Sequence, residues 1–204
     1  MKNNTLMIIL TVIIIGIASF GKYVEVNITE SATSILENRL KPAPMISHIF
    51  DYYGTTLQDA LTSSNTNIQN IQEQRENILL EKVKRDTLWS QYTSTYLVDS
   101  EAEMVKKVNL EMDELDKTVD FVLTSSDTVK IKSIITSDKF NADINTAMND
   151  LNWLIDIQTQ VGQEETVKMI ILLGNFSNFM IGALSLAIIM LGSIIYSVLK
   201  RMNL

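Results

Sequence analysis

A stripe of cationic and aromatic side chains is the feature of this sequence best suited to chemistry. Nine residues in the range Ile68–Tyr96 follow the alternating three- and four-residue spacing of one helix face, and three of them are positively charged. We use the name cationic stripe for these three cations together with the aromatic residue that follows them on the same face: Arg75, Lys82, Arg85 and Trp89. Unpaired cations are unfavourable on a buried face. We therefore expect them to be paired, extended to solvent, or placed at an interface where they bind an anion.

The stripe predicts a candidate binding site for a small anion. The planar guanidinium of arginine donates to both oxygens of a carboxylate, and cations within an acidic domain attract anions. In the alternative interpretation, Leu79 and Val83 mark the core face of this helix and the cations point to solvent. The aromatic residue Trp89 would then have a packing role.

Motifs for enzyme chemistry do not occur in the sequence. The only histidine, His48, has no second ligand at metal-binding spacing, and neither CxxCH nor HExxH is present. We expect His48, which lies between Ile46 and Ile49, to be a half-buried helix residue. There is no cysteine, which excludes disulfides and thiolate metal sites, and there is no glycine-rich phosphate loop. We expect no enzyme activity, no metal site and no cofactor.

Charge is distributed unevenly along the chain. All 24 acidic residues lie in the range Glu25–Glu165, and the charges that flank the apolar ends of the chain are positive. The acidic middle argues against a nucleic-acid partner, which requires a basic surface. We predict that the densest acidic run lies on the solvated face of its helix. Its members are Glu111, Asp113, Glu114 and Asp116.

Two long apolar stretches lie near the ends of the chain. The range Phe179–Val198 has no charge, and its length corresponds to about 30 Å of helix, which is the thickness of the hydrocarbon core of a bilayer. Lys200 and Arg201 follow, and such residues stay on the cytoplasmic side. With the first stretch, Leu6–Phe20, we predict two crossings of the inner (plasma) membrane with both termini cytoplasmic. The alternatives are a cleaved signal peptide for the first stretch and a buried soluble helix for the second.

The middle of the chain is predicted to be helical nearly throughout, with four helices packed up-down-up-down. Apolar residues in the third and fourth helices recur every three or four positions, which is typical of a bundle core. Only Gln158 interrupts the fourth series. The predicted helix breaks are at 63–65, 98–99 and 125–127, with a short helical turn around 129–135 and the fourth helix starting at 137–138. Capping boxes are predicted at Thr66 with Gln69 and at Ser100 with Glu103.

Two prolines interrupt the first helix of the bundle. Pro42 and Pro44 lack the backbone donor that a helix needs, and the proline ring clashes with the preceding turn. We predict a kink at this point, and a break into two helices is the alternative.

These residues resemble a known family. A membrane span followed by a helix with the sequence ENRLKPAPMISHI resembles the four-helix-bundle ligand-binding domain of bacterial methyl-accepting chemotaxis receptors, in which Arg-Leu-x-Pro often occurs at the position of Arg39-Leu40-Lys41-Pro42. Such receptors commonly bind small ligands, including amino and organic acids, between helices at a dimer interface. They also continue into a HAMP linker and a signalling hairpin, whereas only three residues follow Arg201 here. The resemblance therefore implies the sensory half alone.

The predicted organisation has three parts. Residues 1–22 form the cytoplasmic N-terminus and first span, 23–168 an extracytoplasmic four-helix bundle, and 169–204 the second span with a short cytoplasmic end. The resemblance implies a homodimeric membrane sensor that binds a small anionic ligand and passes a helix shift along the second span. The alternative is a membrane-anchored helical scaffold that binds a protein partner.

Overall fold

The computed structural model describes the backbone of residues 2–60 and 69–202, and the side chains in these ranges except 2–4, 6, 69–72 and 201. No strand occurs within the described backbone, and the all-α prediction is confirmed. Two π-helical segments, Leu36–Leu40 and Tyr52–Leu57, flank the second α-helix. The α-helices are α1 (Lys2–Ile35), α2 (Pro42–Asp51), α3 (Gln69–Thr93), α4 (Asp99–Thr124), α5 (Thr128–Ile135) and α6 (Asp138–Met202).

The chain divides into two compact units. The first unit comprises Met1–Ser34 with Gln163–Leu204 and contains both apolar stretches, and the second unit is Ile35–Gly162. Two helical ranges, Met7–Ala60 and Asp138–Lys200, are long and apolar enough to cross a membrane. In the first unit the ring of Phe20 packs edge-on against that of Phe179, with 4.7 Å between the ring centroids. Most of the apolar side chains of this unit are exposed, as the surface of a membrane-spanning helix requires.

The helices of the second unit alternate in direction. Residue numbers rise along one helix as they fall along the next, which is the mark of an antiparallel pair. The up-down arrangement predicted from the short loops is therefore confirmed for α3, α4 and α6. The contacts that show it are Arg85–Asp116 and Trp89–Asn109 between α3 and α4, and Glu114–Lys139 and Lys107–Asp150 between α4 and α6.

The core of the bundle follows the predicted apolar spacing of α4 and α6. Each buried residue is three or four positions from the next, because 3.6 residues complete one helical turn and only one face meets the other helices. Gln158 is buried with the apolar residues, at 2% exposure. The buried apolar members are Val105, Val108, Met112, Leu115, Val119 and Val122 on α4, and Phe140, Ile144, Ala147, Leu151 and Leu154 on α6.

Some predicted helix ends were wrong by a few residues. α3 ends at Thr93 and not at Val98, and α4 begins at Asp99. The carboxylate of Glu101 accepts the N–H of Val98 at 3.2 Å, so the capping interaction uses Glu101 and not the predicted pair of Ser100 and Glu103. The reason is that Glu101 is held in the core by other helices. The ends of α5 and the start of α6 agree with the prediction. The predicted break at 63–65 and the capping box at Thr66 lie outside the described residues.

The prolines of the first bundle helix distort it without interrupting its helical path. Lys41 keeps helical torsions, with φ −71° and ψ −42°, and its N–H donates to the carbonyl of Leu36 at 3.0 Å. This five-residue spacing makes 36–40 a π segment, directly before Pro42. Pro42 has no N–H to donate to the carbonyl of Asn38, and Arg39 Nη1 donates to that carbonyl at 3.2 Å. The helix is therefore not broken into two at the prolines, and the distortion beside Pro42 is a π segment.

Candidate functional site

The face of α3 that carries the cationic stripe is the face that packs into the core of the bundle. Ile78 and Tyr92 are fully buried, whereas Leu79 and Val83 are 38% and 65% exposed. The alternative in which Leu79 and Val83 form the core is therefore wrong. Lys82 and Arg85 lie on this inner face because acidic residues of α4 meet them there, whereas Arg75 is exposed, as that alternative expected of the cations.

The guanidinium of Arg85 is buried in a cluster of aromatic and acidic groups. Arg85 Nη1 and Nη2 donate to the two carboxylate oxygens of Asp116 at 2.7 and 2.6 Å. Asp86 accepts from Nε and Nη2, and the hydroxyl of Tyr53 accepts from Nη1. The ring of Tyr52 lies 4.9 Å from the guanidinium carbon. Burial by itself lowers the pKa of Arg85, but the Asp116 carboxylate and the neighbouring groups outweigh burial and raise it. Arg85 is thus charged and fully paired within the fold.

Lys82 and Trp89 also have partners on α4. Lys82 Nζ lies 2.7 Å from Asp120 and 3.5 Å from Asp116. Trp89 Nε1 donates to the side-chain oxygen of Asn109 at 2.6 Å. Arg75 is exposed and has no ion pair within the part of the chain that the structure describes. Within the described ranges, Arg75 is therefore the member of the cationic stripe whose side chain is exposed and has no ion pair.

A second polar network, which we call the Glu101 network, joins four helical segments of the bundle. Its members are Arg39, Tyr92, Glu101 and Gln158, and all four are buried. Arg39 Nη1 donates to Glu101 Oε2 at 3.1 Å and to Gln158 Oε1 at 3.3 Å. The hydroxyl of Tyr92 donates to Glu101 Oε1 at 2.7 Å, and Gln158 Nε2 donates to the same oxygen. Glu101 therefore accepts hydrogen bonds from three other helical segments and from the Val98 N–H.

The chemistry of the Glu101 network is structural. Burial raises the pKa of Tyr92, and its hydrogen bond to Glu101 raises it further, so the phenol stays protonated and continues to donate. Arg39 neutralises Glu101, although Nε and Nη2 of Arg39 are buried without an acceptor among the described residues. A buried ion pair with these additional hydrogen bonds holds its helices in one register, because any sliding leaves a charge unpaired.

Two other predictions about polar residues were wrong. His48 is exposed, not half-buried. In the acidic run, Asp113 and Glu114 are exposed as predicted, but Asp116 and Glu111 are partly buried against neighbouring helices. Asp116 is drawn in by Arg85. No group of three or more His, Cys, Asp or Glu side chains that could hold a metal ion occurs among the described residues.

The sequence matches one family across most of its length. Residues 4–169 match the family described as a four helix bundle sensory module for signal transduction. The match covers 166 of 204 residues and includes the first apolar stretch and the described bundle helices as far as residue 169 of α6. The chain belongs to this family. No curated protein and no solved structure matches the chain.

Membership confirms the resemblance to the sensory region of chemotaxis receptors and the four-helix-bundle fold. The family is a sensory one and not a catalytic one. Within this sensory module, the Arg-Leu-Lys-Pro segment supplies Arg39 to the Glu101 network, so this motif has a structural contact that its sequence does not reveal.

The sequence contained partial signals for the Glu101 network. Gln158 is the polar exception in the apolar series of α6, and Tyr92 continues the stripe of α3. Arg39 belongs to the motif that carries the family resemblance. Glu101 has no such signal, because an acidic residue in the first turn of a helix is common for local electrostatic reasons.

Proposed function

We propose that this sensory module is the input region of a membrane receptor, with the bundle outside the cytoplasm. The observation that carries the proposal is the family match over residues 4–169, which includes both the bundle and an apolar stretch long enough to cross a membrane. Both ranges that are apolar enough to cross a membrane support a two-pass arrangement. Lys200 and Arg201 favour cytoplasmic termini, because positive residues beside a span remain on that side.

The proposed input is a small anionic ligand with a carboxylate group, such as an amino or organic acid. Arg75 supports this proposal, because its guanidinium is exposed and no described carboxylate pairs with it. The bidentate geometry of arginine suits a carboxylate. Lys82, Arg85 and Trp89 have a supporting part, since their contacts with α4 hold α3 in place and orient the face next to Arg75.

The proposed output is a small displacement of α6. This helix includes core residues of the bundle and the second apolar stretch as one element, Asp138–Met202. A ligand shifts such a helix only if it binds two arrangements with different affinity. Gln158 of α6 and Tyr92 of α3 both donate to Glu101 of α4, so a change in α3 has a polar connection to α6 through the Glu101 carboxylate.

The proposal includes a homodimer, as in the receptors that the chain resembles. Exposed apolar side chains on α3 support a protein contact, with Leu80 at 66% and Val83 at 65% exposure. The same surface supports the alternative, a membrane-anchored scaffold that binds another protein. The scaffold would be favoured by two results together. No small molecule in a thermal-shift screen would stabilise the chain, and a different protein would cross-link to it in membranes.

Calorimetric titration of the full chain in nanodiscs with a panel of amino and organic acids tests the ligand proposal. We expect one acid class to bind, and Arg75→Ala to weaken that binding at least tenfold, about 1.4 kcal/mol. The matched control is Lys84→Ala, which removes another exposed cation from α3 and should leave the affinity unchanged. Absence of binding by every acid, or equal affinities of the wild type and Arg75→Ala, would contradict the assignment of Arg75.

A further inference from the structure

A pair of acidic side chains between α4 and α6 belongs to neither polar network. Glu111 on α4 and Asp150 on α6 are 19% and 13% exposed. Lys107 Nζ lies 3.6 Å from Glu111 Oε1 and 2.5 Å from Asp150 Oδ2. The side chain of Lys107 is itself 53% exposed. Two largely buried carboxyl groups therefore share a single cation that is half in solvent.

One oxygen of the Glu111 carboxyl group lacks a donor. Its Oε2 atom is buried and accepts no hydrogen bond from any donor in the described part of the chain. A buried acceptor without a partner is unfavourable, and a second carboxylate beside it adds repulsion. A proton shared between Glu111 and Asp150 would relieve both, because it supplies the hydrogen bond and removes one negative charge.

The surrounding charges do not neutralise the pair. Glu114 and Asp143, with Thr146, line a cavity of about 160 Å³ beside Glu111. Lys139 pairs with both of these acids, at 3.1 Å from Glu114 and 3.5 Å from Asp143. Four carboxyl groups thus face two ammonium groups across α4 and α6, and the local field favours uptake of a proton.

We propose that Glu111 and Asp150 share a proton, and that this pair is a proton-binding site through which a change of pH alters the packing of α4 on α6. Protonated, the pair is joined by a hydrogen bond across the two helices. Deprotonated, it places two carboxylates against each other with only Lys107 between them. Proton binding is a separate input from the anionic ligand, and its test requires no ligand.

The electrostatics of Glu111 agree with this geometry. The pKa of Glu111 is raised from 4.5 to about 7; burial is the largest cause, the Asp150 carboxyl group acts in the same direction, and the Lys107 ammonium opposes both. At a pH between the ordinary pKa of 4.5 and the raised pKa of about 7, Glu111 holds a proton in the folded chain and has released it in the unfolded chain. By linkage, the free energy of unfolding therefore falls as the pH rises through this window. Above the upper value both states are deprotonated and the contribution of the proton is lost.

Thermal unfolding of the full chain in nanodiscs at about pH 5 and about pH 8.5 tests the proposal. The Tm of the wild type should fall between these two pH values. The Tm of Glu111→Gln, whose amide supplies its own donor, should fall by a smaller amount, and the two falls should differ by roughly 5 °C or more. The matched control Glu103→Gln removes an exposed carboxylate about two turns earlier on α4 and should follow the wild type. Identical pH dependence in the wild type and Glu111→Gln would overturn the proposal.

Infrared spectroscopy of the folded wild type gives a second test that does not depend on the stability of a variant. The carbonyl band of a protonated carboxyl group should be present at about pH 6 and absent at about pH 8.5, since Glu111 loses its proton between them. Its absence at the lower pH would refute a shared proton. Stabilisation by Ca²⁺ that disappears in Glu111→Gln would also overturn the proposal, because the pair would then be a cation site.

Discussion

Replacement of Glu101 by glutamine should strongly destabilise the bundle. The substitution keeps the size of the side chain but leaves the charge of Arg39 unpaired in the core, since the side chains of Arg39 and Glu101 are 1% and 0% exposed. It also places an amide donor among groups that already donate, which are Tyr92 and Gln158. Removal of one partner of a buried ion pair costs about 3–5 kcal/mol. Because both side chains are fully buried, solvent does not screen their interaction and the full range is expected.

Replacement of Arg39, the other partner of this ion pair, should lower the free energy of unfolding by less. In Arg39→Met, Glu101 keeps the hydrogen bonds from Tyr92, Gln158 and the Val98 N–H. The change also removes Nε and Nη2 of Arg39, which have no acceptor among the described residues. The double variant Arg39→Met/Glu101→Gln should be less destabilised than the sum of the two single variants, by about 0.5–3 kcal/mol.

Urea unfolding of the full chain in nanodiscs, followed by the fluorescence of Trp89 in a Trp153→Phe background, measures these energies. Trp89 is a local probe because its ring centroid lies 5.4 Å from that of Tyr92. The matched control is Glu103→Gln, an exposed carboxylate in the same part of α4, which should change the stability by less than about 0.5 kcal/mol. A cost below about 1 kcal/mol for Glu101→Gln, or strictly additive energies in the double variant, would refute the reasoning.

Two further predictions concern the core and the topology. Leu115→Ala should lower the free energy of unfolding by about 2–5 kcal/mol, because Leu115 is buried at 2% exposure. The control Leu110→Ala, at a position with 72% exposure, should lower it by less than about 0.5 kcal/mol in the same urea assay. Similar losses for the two variants would show that the core face of α4 was misassigned. Cysteine placed at Ser100 should react with an impermeant maleimide in intact cells, and cysteine at Asn203 should not, because Lys200 and Arg201 favour a cytoplasmic end. The reverse labelling pattern would exclude the proposed topology.

The sequence alone predicted the helical architecture well. The core faces of α4 and α6 follow from the local spacing of residues such as Val108, Leu115, Ile144 and Leu151, because one period describes the whole helix. The alternation of helix direction followed from short loops. Helix ends were less predictable, as the start of α4 shows. There Glu101 caps the helix because three other segments hold its carboxylate in the core.

The pairing of the buried charges was decided by the tertiary structure. The sequence showed that cations lie on the core face of α3, but the partner of Arg85, Asp116, is 31 residues away. The partner of Arg39 is 62 residues away, and Gln158 is 119 residues away from Arg39. Apolar burial depends on which face a residue occupies, and periodicity within a single helix reveals that face. An ion pair or a raised carboxyl pKa depends on the distance between atoms of different helices, which only the packed bundle determines.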